Sequence, residues 1–412
     1  MPLTMVNFVN HHPGMTMTFS LFSHLKCSEC GDSFDPHSIQ TYCQKCQAPL
    51  ISIYDLERLK IKPDEFFGRK GHMWRWHELL PVFAQEDIVS LGEGETPILA
   101  LDRLKALMDI KSVFLKDEGV NPTHCFKARG LSAAISKAKE LGIKKIILPS
   151  AGNAGVSLAT YATQAGISSC IILPEDAPVE NVYQIKRTGT QLIKVKGTIS
   201  DAGKTAREMA QSEGWFDAST FREPYRLEGK KVMGFEIAEW FSFKLPDFIL
   251  YPTGGGTGLV GIWKAFQELS QLGWIRGKEL PRMVAVQSAG CAPVVRSMET
   301  NSERCEFWEG AYTIAAGLRV PHSFADRLIL RCIRESKGTA VAISDDEIVK
   351  AQFQLSSSEG IFACPEGAAT LAALRKLRER NVIQSSDQVL LLNTGSGLLN
   401  LSATINAQKS TL

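Results

Sequence analysis

A chain of 412 residues can bury a sizeable core and should form more than one domain. Its 44% hydrophobic and 22% charged residues describe an ordinary globular protein. A net charge of +2 argues against a nucleic-acid or membrane-surface partner, and no apolar stretch approaches a transmembrane length, so the expected partner is a small molecule.

The opening residues, MPLTMVNFVNHHPGMTMTFSLF, lack the basic start and apolar core of a signal peptide. Methionines at positions 1, 5, 15 and 17 leave the translation start open, and residues 1–21 are predicted to be disordered. Two cysteine pairs follow, Cys27 with Cys30 and Cys43 with Cys46, separated by twelve residues. Each pair can chelate a metal through a tight knuckle, and two pairs complete a tetrahedral four-thiolate site. The spacing predicts a zinc ribbon over residues 22–54, with disulfides as the alternative. Such a closed site has no open position for chemistry, so the zinc would be structural. The other six cysteines are scattered singly, as reduced thiols of a cytoplasmic protein usually are. Residues 55–90 read as a linker, in which HMWRWHE (72–78) packs as an arm; its aromatic-basic cluster is too small to suggest an RNA surface.

From about residue 110 onward, strand-like runs (VFLK, KKIILPS, CIILPE, QLIKVKG, DFILYPT, RMVAVQ, QVLLLNT) alternate with helix-length segments. That alternation predicts an α/β fold with parallel sheets and helices on both faces. The segment NPTHCFKARG (121–130) reads as a turn, a lysine at position 127, and then a helix start. A helix N-terminus disfavours positive charge, which biases the Lys127 amine towards its neutral, nucleophilic form. Three other strand-like runs lead into glycines: LPSAGNAG (148–155), ILYPTGGGTG (249–258) and VLLLNTGSG (389–397). Such loops present backbone N–H groups to an anion, and open α/β sheets place ligands at the carboxyl ends of their strands. Asn153 adds an amide to the first loop, and Thr257 a hydroxyl to the second. The second is not a Walker loop, because no Lys-Ser/Thr follows its glycines. Three loops and one lysine together predict a shared small-molecule site.

This combination resembles the fold-type-II pyridoxal-phosphate enzymes (tryptophan synthase β-like) and, within them, the threonine synthase family. The resemblance runs from LGEGETP (91–97) to the last glycine loop, roughly three quarters of the chain. It includes EPYRLEGKKVMGFEIAE (223–239), VQSAGCAPVV (286–295), GLRVP (317–321), ESKGTAVAISDDEI (335–348) and EGIFACPEGAAT (359–370). It implies two open parallel-sheet domains: a large one from residues 91–126 and 223–412, and a small mobile one from 127–222. A zinc ribbon before the catalytic core also occurs in some members.

Residue by residue, the resemblance makes Lys127 the Schiff-base lysine, with Phe126 against one face of the pyridine ring and Asn153 on the cofactor's phenolic oxygen. Gly254, Gly255, Gly256, Thr257 and Gly258 would cradle the cofactor phosphate, and Thr394 would meet the pyridine nitrogen. A hydroxyl there leaves the ring less electrophilic than a carboxylate would, which suits eliminations and replacements. Ser150, Ala151, Gly152, Asn153 and Ala154 would hold the substrate carboxylate. Arg226 matches the arginine used on a substrate phosphate, for which its planar fork is suited; an ion pair with Glu223 or Glu228 is the alternative. Departures from the family pattern are His124-Cys125 for Gly-Ser or Gly-Thr, Ala154 for threonine, and Thr220-Phe221 for Asn-Ser. They leave the cofactor site intact and bear on the leaving group. The expected activity is that of a carbon–oxygen lyase on a phosphorylated amino acid, threonine synthase acting on O-phosphohomoserine, in a homodimer. Alternatives are a threonine/serine dehydratase, a phosphoserine-using synthase resembling cysteate synthase, and a cofactor-dead zinc-ribbon binding protein.

Overall fold

The computed structural model describes residues 19–402, apart from 151, 198 and 278, together with residue 405. Three sheets organise it. The first is antiparallel, from β1 (Phe22–Cys27), β2 (Ser33–Phe34), β3 (Tyr42–Cys43) and β4 (Ala48–Tyr54), in the order β2-β1-β4-β3. β5 (Ile98–Ala100) and β6 (Ser112–Asp117) begin a second sheet, which is interrupted by a third. The interrupting strands are β7 (Lys145–Pro149), β8 (Ser168–Pro174), β9 (Gln191–Val195) and β10 (Phe216–Asp217), all parallel, in the order β10-β7-β8-β9. The second sheet is completed by β11 (Phe248–Pro252), β12 (Arg282–Ser288), β13 (Thr339–Ile343) and β14 (Gln388–Asn393). Its order is β13-β12-β11-β14-β6-β5, parallel except at β5.

The continuous apolar runs in the sequence are explained by this arrangement. All five residues of β11 are buried, as are six of the seven in β8, because helices cover both faces of a parallel sheet. The α/β fold with two parallel sheets is therefore as expected.

Two helices fix the relation between the sheets. The lysine helix (Lys127–Glu140) crosses the central helix (Tyr225–Trp240) at glycine contacts. A Cβ on Gly229 would collide with the Arg129 carbonyl, and one on Gly130 would lie 2.8 Å from the Arg226 carbonyl. Every residue of the central helix from Tyr225 to Ala238 is buried.

The segment after the ribbon packs as an arm. Trp76 stacks on Phe66 with ring centroids 4.3 Å apart and approaches Phe235 of the central helix at 4.9 Å. Trp74 donates to Ser132 Oγ on the lysine helix at 2.9 Å. Arg75 is ion-paired with Glu239. The expected disorder of residues 1–21 does not extend to its last three residues. Phe19 stacks on His77 at 4.1 Å, Ser20 is buried, and the Leu21 N–H donates to the Glu78 carbonyl at 2.8 Å. Residues 1–18 lie outside the described residues.

Candidate active site

β11, β14 and β6 are adjacent in the large sheet, so the segments leaving their carboxyl ends converge. β6 runs through a 3-10 turn into the loop carrying Lys127, β11 into Gly254–Gly258, and β14 into Thr394 and Gly395. Backbone hydrogen bonds join the first and last of these. Phe126 N–H donates to the Thr394 carbonyl at 3.0 Å, and Ser396 N–H donates to the His124 carbonyl at 2.9 Å. From the smaller sheet, Ser157 meets Thr123 Oγ1 at 2.8 Å and also bonds the Asn153 carbonyl at 2.8 Å. The loop at the end of β7 is thereby tied to the lysine turn.

Lys127 is the first residue of its helix, and its Nζ lies 4.2 Å from the Phe126 ring centroid. Its pKa is lowered chiefly by burial, with the Arg226 charge adding to the effect. Burial and a neighbouring cation thus act in the direction the helix terminus alone suggested. Phe126 is buried and meets Tyr251 edge to face at 6.1 Å.

The Gly254–Gly258 loop is shaped by close approach. Gly256 has φ +82° and serves as N-cap of the helix Thr257–Gln271, where Ile329 crowds any Cβ. Side chains at Gly254 and Gly258 would strike the Gly317 carbonyl and the Tyr251 hydroxyl. The Tyr251 hydroxyl is buried without a hydrogen-bond partner.

Asn153 begins the helix Asn153–Ala165, and its Oδ1 is buried and unpartnered. Ser150 Oγ accepts from the N–H groups of Gly152 and Gly155, at 3.3 and 3.0 Å, closing the turn beneath it. Gly152 and Ala154 are half-buried in this loop, while Ala151 lies outside the described residues. Thr394 is buried, its hydroxyl 3.7 Å from Cys364 Sγ.

Arg226 is buried in the first turn of the central helix. Its Nη1 donates to the Ala218 carbonyl at 2.8 Å, while its Nε lacks a hydrogen bond and lies 3.9 Å from Glu223. Glu228, the other candidate ion-pair partner, is engaged by Lys231 and Lys264. Glu223 accepts from the backbone N–H groups of Tyr225 and Arg226, and burial raises its pKa to about 7 against the pull of Arg226.

Two groups escaped the sequence reading. Lys230, one turn beyond Arg226, is fully buried and donates to Thr257 Oγ1 at 2.9 Å. Its spacing of four from Arg226 places both on one helix face. Glu366 receives the Gly317 N–H at 2.7 Å, and its charge reaches Lys127. Of the departures from the family pattern, His124 is exposed with φ +54°, a conformation that suits the glycine common there. Cys125 is buried beside Thr123 and Ser157.

The residues present fit a phosphorylated aldehyde cofactor. A lysine of depressed pKa, a glycine cradle that admits no Cβ, an orphaned Asn153 carbonyl oxygen and a buried cation at the cradle's helix terminus converge on one place. These features define a pyridoxal-phosphate enzyme. A family model described as "Pyridoxal-phosphate dependent enzyme" matches residues 89–395, and the chain belongs to that family.

Within it, the chain falls among the threonine synthases. It is 35% identical to threonine synthase of Methanosarcina acetivorans over 90% of this chain and 91% of the relative. Identity is 34% to that of Methanocaldococcus jannaschii, over 93% and 95%. Among solved structures, maize serine racemase aligns with a TM-score of 0.64 at 21% identity, over 77% of this chain and 94% of that one. Threonine deaminase isoform 2 from Solanum lycopersicum aligns with a TM-score of 0.65 at 19% identity, over 79% and 89%. These two share the fold.

In the ribbon, one Sγ from each of Cys27, Cys30, Cys43 and Cys46 lies within 4.8 Å of the others. All ten cysteines are free, so the disulfide alternative is not realised.

Proposed function

We propose that the protein converts O-phospho-L-homoserine and water into L-threonine and phosphate. The observation that carries this reading is a group of loosely paired cations: Arg226 and Lys230 are buried beside Lys127, and the Arg226 Nε makes no hydrogen bond and stands 3.9 Å from Glu223. A site that also has to hold a cofactor phosphate has, in Arg226, a second anion receptor. The threonine synthases that the chain resembles support it.

Pyridoxal phosphate, when bound, supplies the electron sink that lets protons leave carbon beside an amino group. Lys127 would hold it, and Asn153 and Thr394 would bond its ring through an amide and a hydroxyl. Gly254, Gly255, Gly256, Thr257 and Gly258 would receive its phosphate. With the cofactor bound, the Lys127 Nζ would take the proton from the substrate Cα, a role for which its depressed pKa suits it. Lys127 would then take a Cβ proton, whose electron pair expels the γ-phosphate from Cγ with Arg226 paired to the departing group. A proton returns to Cγ to make the methyl, water adds its hydroxyl to Cβ and gives up a proton, and Cα is reprotonated. Ser150, Gly152 and Asn153, with the segment between them, orient the substrate carboxylate at the start of a helix. The His124–Cys125 and Ala154 positions border the leaving group.

Four thiolates with this spacing and proximity suit one structural zinc ion. Ten free cysteines suit a reducing compartment, the cytoplasm, and no described helix is long and apolar enough to cross a membrane. By resemblance the working unit is a homodimer, which light scattering would test.

The deciding assay offers phosphohomoserine, phosphoserine, threonine and serine to the holoenzyme and measures phosphate and amino-acid products. Phosphate and threonine from phosphohomoserine are expected; 2-oxobutanoate from threonine, with phosphohomoserine ignored, would make it a dehydratase. Arg226→Ala should lower kcat/KM for phosphohomoserine by about two to four orders of magnitude, as expected when a charge-assisted pair to a dianion is lost. Cys43→Ser should lose the metal and loosen residues 22–54, with cofactor absorbance mostly preserved. Full metal content in that variant would exclude the four-cysteine site.

A further inference from the structure

Lys230 is a buried cation in an unfavourable place. Its ammonium lies at the N-terminus of the helix Thr257–Gln271, where the helix dipole opposes positive charge, and its hydrogen-bond partner there is the neutral Thr257 hydroxyl. The side chain threads between the crossing helices, with Nζ 3.1 Å from where a Cβ on Gly130 would stand and 5.3 Å from the Phe126 ring centroid. Burial pushes its pKa well below the usual lysine range, and the charges of Arg226 and Lys127 push it further; Glu223 offsets this in part. Nothing in the protein's own charge balance explains a lysine held in that position.

We propose that Lys230 is a ligand of the cofactor phosphate, reaching it beside Thr257, so that two anion receptors are divided along one helix face. Lys230 takes the phosphate of the cofactor, and Arg226 is left for the substrate. The division follows from attachment: Lys230 is bonded to Thr257 of the glycine cradle, whereas Arg226 is bonded to the Ala218 carbonyl, just beyond β10 of the smaller sheet. It rests on the pyridoxal-phosphate assignment but not on the identity of the substrate. A glycine cradle alone offers N–H groups; a charged donor added to it makes the hydrogen bond charge-assisted and roughly doubles its strength.

The test compares equilibrium binding of pyridoxal phosphate and of pyridoxal to the apo-protein of wild type, Lys230→Gln, Lys230→Met and Arg226→Ala, followed by absorbance. Loss of Lys230 should weaken pyridoxal phosphate about ten- to a hundredfold, the worth of one hydrogen bond to a charged group, and leave pyridoxal within twofold. Arg226→Ala should keep the wild-type preference for the phosphorylated form. Thermal melting supplies a second readout. Lys230→Met removes a buried amine whose protonation burial opposes, so the apo-protein should melt no lower than wild type, while the rise in Tm produced by pyridoxal phosphate shrinks. An unchanged preference for pyridoxal phosphate over pyridoxal in both Lys230 variants would overturn the proposal. Failure of wild type to bind either aldehyde at Lys127 would instead overturn the cofactor assignment.

Discussion

Two clusters of buried charge share the lysine helix and the central helix, and they are built on opposite principles. In the first, Arg129 bonds Glu118 at 2.6 Å and Glu236 at 2.7 Å, while Lys116 bonds Glu236 at 2.7 Å and the Thr96 carbonyl at 3.1 Å. Two cations meet two carboxylates, each group has several partners, and the attraction holds both carboxyl pKa values down and the Arg129 value up. In the second, Lys127, Arg226 and Lys230 lie near Glu223, Asp217 and Glu366, which accept instead from the backbone N–H groups of Tyr225, Arg226, Ser219 and Gly317. The nearest approach of cation to carboxylate is 3.9 Å, from Arg226 to Glu223. There every cation is pushed down. The balanced cluster holds the two helices to β6. The second leaves its cations without a close ion pair, the condition an anion-binding site needs.

Removing a cation should therefore have opposite consequences in the two places. Lys127→Ala should fold with an unchanged or higher apo-protein Tm yet lose more than about a thousandfold in turnover, as expected for loss of both nucleophile and base. In the wild type, borohydride should trap the cofactor on the peptide containing Lys127, and labelling of another lysine would overturn the assignment. Arg129→Met should do the reverse. It leaves Glu118 and Glu236 to share Lys116 in the core and should cost about 3–5 kcal/mol of stability, measurable by urea denaturation. Replacing Arg129, Glu118, Glu236 and Lys116 together by apolar residues of similar volume should cost less than the single change, because no charge is left alone. A quadruple variant less stable than Arg129→Met would remove the basis of the comparison.

Smaller effects appear in pH. The Glu223 carboxyl titrates at about 7 in the folded protein, against an ordinary value near 4.5. A raised carboxyl pKa means that the folded state binds the proton more tightly. Its contribution is fully present below about 4.5 and is lost as pH rises towards 7. The stability difference between wild-type apo-protein and Glu223→Gln should fall across that window, and a flat difference would contradict the shift. Arg226→Gln removes a charge that lowers the Lys127 pKa, so the pH dependence of cofactor attachment should move upward in that variant.

The halves of the site differ in how openly the sequence displays them. The glycines at 254–258 and Asn153 were legible because each follows a strand signal within a few residues, and Lys127 because it stands between a turn and a helix start; such local patterns have local causes. Lys230 was not. Nothing in the sequence separates Lys230 from Lys231, but packing sends Lys230 to Thr257 and Lys231 to Glu228 and to Tyr54 of β4, 3.8 Å from that ring. The insertion of β14 between β11 and β6 was equally hidden, since pairing partners hundreds of residues apart leave no periodicity in either segment. Arg226 was found as a residue, but its Ala218 anchor depends on the fold.

The central helix has no solvent face between Tyr225 and Ala238. An ordinary amphipathic helix offers half of its positions to drift, where substitutions cost little and new side chains can be tried. Here every position is buried, so almost any replacement disturbs a packed neighbour. A lineage changing its substrate would find few neutral routes through this helix. The half-buried loops around His124, Ala154 and Thr220 offer more freedom. The positions at which this chain departs from its relatives' pattern lie in those loops, beside a helix that evolution has little room to edit.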